Sequence, residues 1–193
     1  MEGLPPQQDE FQKVYLWGMQ VYGEKPSAFM APLAGFGENG DREGWEAFLA
    51  AAEQVFTAYG DLPFVHWATY EKTNLDMYID RYGDPEGIAA RVKRNLLDLL
   101  PITKASIALP IPSYGLKVIE QYVGFKRTQA EYGGDWSMAM FIEATETNDQ
   151  KRRAALMADI LKYNQEDLAA TWAMLQWLKA YAGCNSYDRV SPL

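Results

Sequence analysis

The sequence contains very little cysteine and histidine, with one residue of each in 193. A lone Cys184 cannot form an intrachain disulfide, and one cysteine with one histidine cannot build a Cys/His zinc site. A Cys–His nucleophilic pair would have to use Cys184 and His66, and no spacing supports that pair. The low cysteine content is typical of a reducing compartment and predicts a cytoplasmic location.

Long apolar runs and a recognisable targeting segment are also lacking. The first residues contain no basic stretch followed by an apolar one, so no signal peptide is predicted. No apolar run is long enough to span a bilayer, and we therefore expect no membrane partner. Apolar residues make up 48% and charged residues 23% of the chain, which predicts a folded domain rather than a disordered segment.

Positive charge is scarce, since the formal net charge is −8. Proteins that bind duplex DNA non-specifically are usually basic, because phosphate contacts need Lys and Arg. The acidic balance counts less against a metal-dependent nuclease, in which clustered carboxylates bind cations and the cations meet the phosphate. Local basic clusters at 91–94, 126–127 and 151–153 could contribute, and each is also consistent with a solvated helix face.

The apolar pattern predicts strands first and helices later. Two antiparallel strands are predicted over 14–22 and 28–33, followed by a helix over 44–59 that Asp41 caps and Gly60 ends. The other predicted elements are a strand over 62–67, helices over 71–82 and 85–100, a strand within 101–109, a helix over 114–122 capped by Ser113, a helical stretch over 136–144 and a C-terminal helix from 148 or 149 to 183, broken near Asn164. This order indicates one α/β domain over 1–183 with a largely helical second half, and a tail over 184–193.

Tyr163 and Asp167 lie four residues apart in a predicted helix, which places them on the same face about one turn apart. A carboxylate there can hold a metal, and a phenol one turn away can hydrogen-bond the water that the metal activates. The alternative is a purely structural pair, because this spacing occurs by chance in many helices.

Glu71 follows the predicted strand over 62–67 and stands at the start of the next helix. The carboxyl ends of strands are where α/β sheets tend to bind ligands. The alternative is an acid that the helix dipole favours in a first turn. His66 lies within the apolar run, where a buried structural histidine is the simpler interpretation.

Taken in order, four stretches of the chain resemble one family. They are MEG followed by VYLWGMQV, then VHWATYE, then SYGLKVIEQYVGF, and finally ILKYNQEDLAATWAMLQWL. Together they resemble the YprB-type ribonuclease H-like nuclease domain, which is found at the C-terminal end of larger RecB-like nucleases. This group is similar to a branch of the DEDD 3′-5′ exonuclease superfamily, and the closing Tyr-x-x-x-Asp resembles its tyrosine subclass.

The resemblance implies a ribonuclease H-like mixed sheet flanked by helices, and a two-metal hydrolysis of single-stranded DNA or RNA. It implies that Glu2, Glu71 and Asp167 bind two Mg²⁺ or Mn²⁺ ions and that Tyr163 orients the attacking water. Ser113 and Lys117 match a Ser-x-x-Leu-Lys element that would bind substrate. Lys117 could contact phosphate, or its stem could pack on the sheet.

One feature departs from the family pattern. The family has an Asp two positions before its first-motif Glu, and in this chain that position lies before Met1. We therefore expect either a domain that is truncated at its N-terminus or a protein that lacks this acid. Three hypotheses remain open: an active 3′-5′ exonuclease, a catalytically impaired module of a larger polypeptide that binds nucleic acid or a partner, and an unrelated acidic α/β protein.

Overall fold

Short strands alternate with helices in the first half of the chain, and the second half is almost entirely helical. The computed structural model describes residues 2–4, 13–23, 27–129 and 133–187, with the backbone alone for 2–4 and 184–187. The elements are β1 Glu2–Leu4, β2 Lys13–Leu16, β3 Met19–Val21, β4 Ala28–Met30, α1 Gly40–Tyr59, β5 Phe64–His66, α2 Tyr70–Tyr82, α3 Ile88–Arg94, β6 Leu96–Asp98, α4 Leu99–Ser106, α5 Leu116–Tyr122, α6 Gly134–Glu146 and α7 Gln150–Tyr187. The predicted α/β class, with helices flanking a mixed set of strands, is confirmed. Within the described ranges, no helix has the length and apolar character that a membrane crossing requires.

The strands of the described residues form three ladders of two strands each. β1 is antiparallel to β2, and β3 is antiparallel to β4. β5 and β6 are parallel, with His66 opposite Asp98. Residues 31–34 prolong β4 along β2, since Leu16 forms a bridge with Leu33 and the Trp17 N–H donates to the Pro32 carbonyl.

The strand predicted over 14–22 is divided at Trp17 and Gly18. Trp17 is buried and stacks on Phe48 of α1, with 4.7 Å between the ring centroids. Gly18 meets α7 so closely that a Cβ built on it would lie 1.8 Å from Asn164 Oδ1. The chain passes α7 at a point where only glycine fits, and the regular strand is interrupted there.

Among the residues that the structure describes, three groups of buried side chains make up the core. They are Trp17, Trp45, Phe48, Leu75 and Tyr78 among α1, α2 and β2; Tyr15, Leu16, Phe141 and Ile160 among β2, α6 and α7; and Trp67, Leu99, Ile119 and Met174 among α4, α5 and α7. α7 contributes to two of the three groups, so it holds the two halves of the chain together.

The prediction that Asp41 caps α1 is wrong. Asn39 precedes the helix, and Asp41 lies inside its first turn, where it is buried. Its carboxylate accepts hydrogen bonds from Tyr78, Tyr82 and Arg81 of α2. The acid therefore links two helices instead of capping one.

The region 85–109 also differs from its prediction. Pro85 lies in a turn before α3, the helix ends at Arg94, and a short strand, β6, follows where helix was expected. Pro101 lies in the first turn of α4, where its missing N–H costs no helical hydrogen bond. Asp98 caps that helix by accepting a hydrogen bond from the Leu100 N–H at 2.9 Å.

Two boundaries in the second half need correction. α5 begins after Gly115, and Ser113 lies before its cap in an exposed loop. α7 runs without a break through Asn164, which is buried in the packed face of the helix, and continues to Tyr187. The predicted end at 183 is therefore four residues short, and residues 188–193 of the predicted tail lie outside the described residues.

Candidate active site

A cavity of about 470 Å³ lies between β3, β5 and α7. Its walls are mostly apolar, but Glu71 and Asp167 both line it. Two of the acids that the sequence singled out are thus brought to one place from opposite halves of the chain.

A strained turn after β5 places Glu71 at the cavity. Ala68 adopts a left-handed conformation with φ of 71°, which is unusual for a residue with a side chain. Its N–H donates to Asp98 Oδ1 at 2.9 Å, and its carbonyl accepts from His66 Nδ1 at 2.8 Å. α2 then begins at once, so that Glu71 stands in its first turn, as predicted.

One oxygen of Glu71 lacks a good protein donor. Oε2 is buried and forms no hydrogen bond within the described part of the chain. The nearest cationic atom is His66 Nδ1 at 3.3 Å, and that nitrogen is directed to the Ala68 carbonyl. Burial lowers the pKa of His66, but Glu71 and Asp98 raise it by more, so this pKa lies above its ordinary value. These two acids therefore favour the charged form of the His66 imidazole at this end of the cavity.

Asp167 is held by two cations. Its Oδ1 accepts hydrogen bonds from Lys117 Nζ of α5 and from Arg127 Nη2. Burial lowers the pKa of Lys117 more than Asp167 raises it, so the net shift is downward. Two basic side chains of the protein therefore already contact this carboxylate.

Arg127 is itself anchored on a buried acid. Its Nε and Nη2 donate to the two oxygens of Glu120 at 2.6 and 2.7 Å, and these side chains are 3% and 1% exposed. Burial lowers the pKa of Arg127, whereas Glu120 and Asp167 raise it by more and keep the guanidinium charged. Sequence reasoning missed both residues as parts of the site. The signal in the sequence was Glu120, a charged residue within the apolar run of α5 that stands seven residues before Arg127.

Tyr163 packs beneath the two cations. Lys117 Nζ lies 4.4 Å and Arg127 Cζ 5.6 Å from the centre of its ring, and the edge of Trp136 closes a third side. The phenol ring is almost fully buried and lies one helical turn before Asp167, as the spacing predicted. Its neighbours make it part of the Asp167 cluster rather than of the cavity wall.

The two remaining predicted site residues are Ser113 and Glu2, and the structure does not place either side chain in the cavity. Ser113 is exposed in the loop before α5 and does not line the cavity. The backbone of Glu2 belongs to β1 and lies opposite Leu16, but its side chain lies outside the described residues.

A family model described as the RNase H superfamily matches residues 2–179. The chain belongs to the RNase H superfamily. The match covers nearly the whole chain, and it supports a nuclease-type function with nucleic acid as the binding partner. No curated protein and no solved structure matches the chain.

The cavity offers oxygen ligands of the kind that the divalent cations of RNase H-like nucleases need. Glu71 presents the buried Oε2 that has no hydrogen bond, and Asp167 has a second oxygen, Oδ2, beside the one held by Lys117 and Arg127. Across the described ranges, however, no three acidic, histidine or cysteine side chains stand close enough to form a metal site. Glu71 and Asp167 thus fit as ligands to a divalent cation, and further ligands must come from outside this pair.

Proposed function

We propose that this RNase H domain hydrolyses phosphodiester bonds of single-stranded DNA or RNA from the 3′ end, in the presence of Mg²⁺ or Mn²⁺. The observation that supports it is the shared cavity of Glu71 and Asp167, two carboxylates from distant stretches of an RNase H superfamily chain. On this proposal the chain is a YprB-type, tyrosine-subclass domain, located in the cytoplasm and joined to a RecB-like nuclease domain in a longer polypeptide.

Each of the predicted site residues would have a role in this reaction. Glu71, Asp167 and Glu2 would hold the cations. When bound, two such ions lower the pKa of a water and stabilise the leaving oxygen. Tyr163 would orient the water, and Lys117, which is half-buried, would reach the phosphate.

The arginine below the site has a supporting role. Arg127, fixed by Glu120, would hold the Asp167 carboxylate in place, because one Nη2 group contacts both acids. Ser113, in its exposed loop, would meet the substrate outside the cavity.

The test is a gel assay with end-labelled single-stranded DNA and RNA in Mn²⁺. The chain should give a ladder from the 3′ end, and Asp167→Ala should lose about 10²-fold or more of the rate, as expected when a metal ligand is removed. Asp159→Ala is the matched control, because Asp159 is an exposed acid two turns earlier on α7. A ladder of equal strength from both variants would exclude the assigned role of Asp167.

A second candidate function is a catalytically impaired module that binds nucleic acid or a partner within a larger polypeptide. It is favoured by the contacts of Asp167, whose charge is met by Lys117 and Arg127 without a metal. Such a module would bind an oligonucleotide in EDTA and cut nothing in Mn²⁺.

Restoring an Asp before Met1 separates the two candidates. Because the resemblance places an acid two positions before Glu2, a chain extended by an Asp directly before Met1 should regain cleavage if the start of the domain is truncated. Continued binding without cleavage in the extended chain would favour the impaired module.

A further inference from the structure

Three aromatic side chains form a row on the surface of α5 and α7. Tyr122 of α5 and Tyr181 of α7 are 48% and 42% exposed, and the partly exposed Trp177 contacts both of them. The ring centroids of Trp177 and Tyr181 lie 5.9 Å apart with 27° between the planes, and Tyr122 meets Trp177 edge-on at 6.4 Å. Single exposed hydrophobic residues are common, but adjoining large rings indicate a binding surface. We call these three residues the aromatic row.

The elements around the aromatic row are basic, in a chain that is acidic overall. α4, α5 and the C-terminal half of α7 pack on one another around Ile119 and Met174. Residues 99–129 and 168–183 together carry one acid, Glu120, which is buried and bound to Arg127. Their basic residues are Lys104, Lys117, Lys126, Arg127 and Lys179. Because the whole chain has a net charge of −8, this local excess of positive charge favours a polyanionic ligand here.

The aromatic row continues from the candidate active site. Lys117, in the first turn of α5, contacts Asp167, and Tyr122, at the end of the same helix, contacts Trp177. On α7, the step from Asp167 to Tyr181 is close to four full turns, so these two residues stand on the same side of the helix. At about 1.5 Å per residue, the row begins about 15 Å from Asp167 and ends about 21 Å from it.

A single strand of nucleic acid combines the two kinds of group that this surface would recognise. Every base has a π face that stacks on Tyr or Trp whatever the sequence, and every phosphate carries a negative charge. In a duplex the base faces are covered by the neighbouring base pairs, so exposed rings favour a single strand. A stacked strand advances about 3.4 Å per nucleotide, and the row therefore lies about four to six nucleotides from a phosphate at Asp167.

We propose that Tyr122, Trp177 and Tyr181 form a base-stacking platform for single-stranded nucleic acid, about four to six nucleotides from the scissile phosphate. The position of that phosphate at Asp167 rests on the proposed function, in which the 3′ end lies there and the platform holds nucleotides on its 5′ side. The platform stacks bases without sequence preference and uses no metal. It gives an acidic chain a local means of holding a polyanion, through rings and the basic residues around them.

Binding in EDTA tests the platform without cleavage. The ligand is a fluorescein-labelled oligothymidylate of about twelve nucleotides, long enough to reach from Asp167 past the row, and affinity is measured by fluorescence anisotropy at low salt. Tyr122→Ala/Tyr181→Ala should weaken binding about tenfold or more, because each lost ring removes a stacking surface. Both side chains are exposed, and the thermal midpoint of the double variant checks that it remains folded. Tyr122→Phe/Tyr181→Phe keeps both rings and should bind like the parent chain.

Two controls separate stacking from other effects. Phe36→Ala should not change the affinity, since Phe36 is 51% exposed but contacts Phe141 of α6 and Arg153 at the start of α7, the opposite end of that helix from the row. An abasic strand of the same length keeps the phosphates and lacks the bases. The parent chain and the Tyr122→Ala/Tyr181→Ala variant should therefore bind the abasic strand equally.

Several results would overturn the proposal. Equal affinity of the parent chain and the double Ala variant for oligothymidylate, or no binding by the parent chain, would show that the row is no platform. An equal loss of affinity for the abasic strand would mean that the rings do not act by stacking on bases. A parent chain that elutes from size exclusion as a dimer, with the double Ala variant as a monomer, would assign the row to a second copy. Ring-dependent binding by a chain that cuts nothing in Mn²⁺ would support the platform and count against the nuclease proposal alone.

Discussion

Arg127 and Glu120 form a bidentate ion pair in the protein interior, and the same guanidinium also contacts Asp167. Glu120 lies in α5 and Asp167 in α7, so one side chain joins these helices beneath the candidate active site. A buried pair of this kind is costly to break from one side, because the remaining charge stays in the interior.

Glu120→Gln should therefore lower the free energy of unfolding by about 3 kcal/mol. The substitution keeps the shape of the side chain but removes the charge that compensates Arg127. Urea unfolding followed by tryptophan fluorescence measures the change. The matched control is Glu143→Gln, since Glu143 forms the same two contacts with Arg152 on the surface, where both side chains are about half exposed. That control should change the free energy of unfolding far less, because water screens an exposed ion pair. Equal costs at the two positions would contradict a stabilising role of the buried pair.

Tyr78→Phe should destabilise the protein by about 2 kcal/mol through lost hydrogen bonds. The Tyr78 hydroxyl accepts from the Val14 N–H at 2.6 Å and donates to Asp41, and all three groups are buried. The variant would leave a backbone donor and a carboxylate oxygen without this partner. Thermal unfolding provides the measurement, and Tyr59→Phe, at an exposed tyrosine, should leave the midpoint within about 1 °C. A midpoint unchanged in Tyr78→Phe would mean that water replaces the hydroxyl without cost.

Gly18→Ala should destabilise the fold by about 2 kcal/mol, since the added methyl would overlap Asn164 Oδ1 and force the buried Asn164 side chain to move. Gly134→Ala, at the start of α6 with open space around it, should be neutral or slightly stabilising. The double variant Gly18→Ala/Asn164→Ala should recover part of the loss, because the obstructing amide is gone. Additive costs in the double variant would show that the contact is not the cause.

Stability at high pH should depend on Tyr22. Burial raises the pKa of Tyr22 to about 12 from its ordinary value of 10.0, and the ring stacks on Trp172 of α7. A group whose pKa is higher in the folded protein contributes stability below its unfolded pKa and loses it as the pH rises through the folded value. Tyr22→Phe should therefore reduce the decline in stability between about pH 10 and 12, measured by urea unfolding at each pH. An unchanged decline would mean that Tyr22 titrates normally in the folded protein.

Local signals in the sequence predict much of the fold and part of the site. Gly60 and Gly83 end α1 and α2, and the apolar run before His66 forms β5 as expected. The position of Glu71 after that strand follows from the same pattern. Helical spacing alone places Tyr163 on the same side of α7 as Asp167.

Features that depend on tertiary contacts could not be predicted from the sequence. β6 was missed because Leu96 and Leu97 follow a helical pattern with no breaker, and only pairing with β5 makes them a strand. Asp41 has the sequence position of a helix cap, and its burial against α2 shows only in three dimensions. The ion pair between Glu120 and Arg127 depends on the path of the chain after α5, which no local sequence pattern predicts.

The central claim is that Asp167 serves a metal-dependent nuclease site, and its most direct measurement is single-turnover cleavage of 5′-labelled single-stranded DNA and RNA in Mn²⁺. The chain, extended by an Asp directly before Met1, is compared with the same chain carrying Asp167→Ala or Asp159→Ala. We predict stepwise shortening from the 3′ end that EDTA stops, that Asp159→Ala retains and that Asp167→Ala loses by about 10²-fold or more. Cleavage that survives in Asp167→Ala, or that is absent from all three extended chains, would contradict the account.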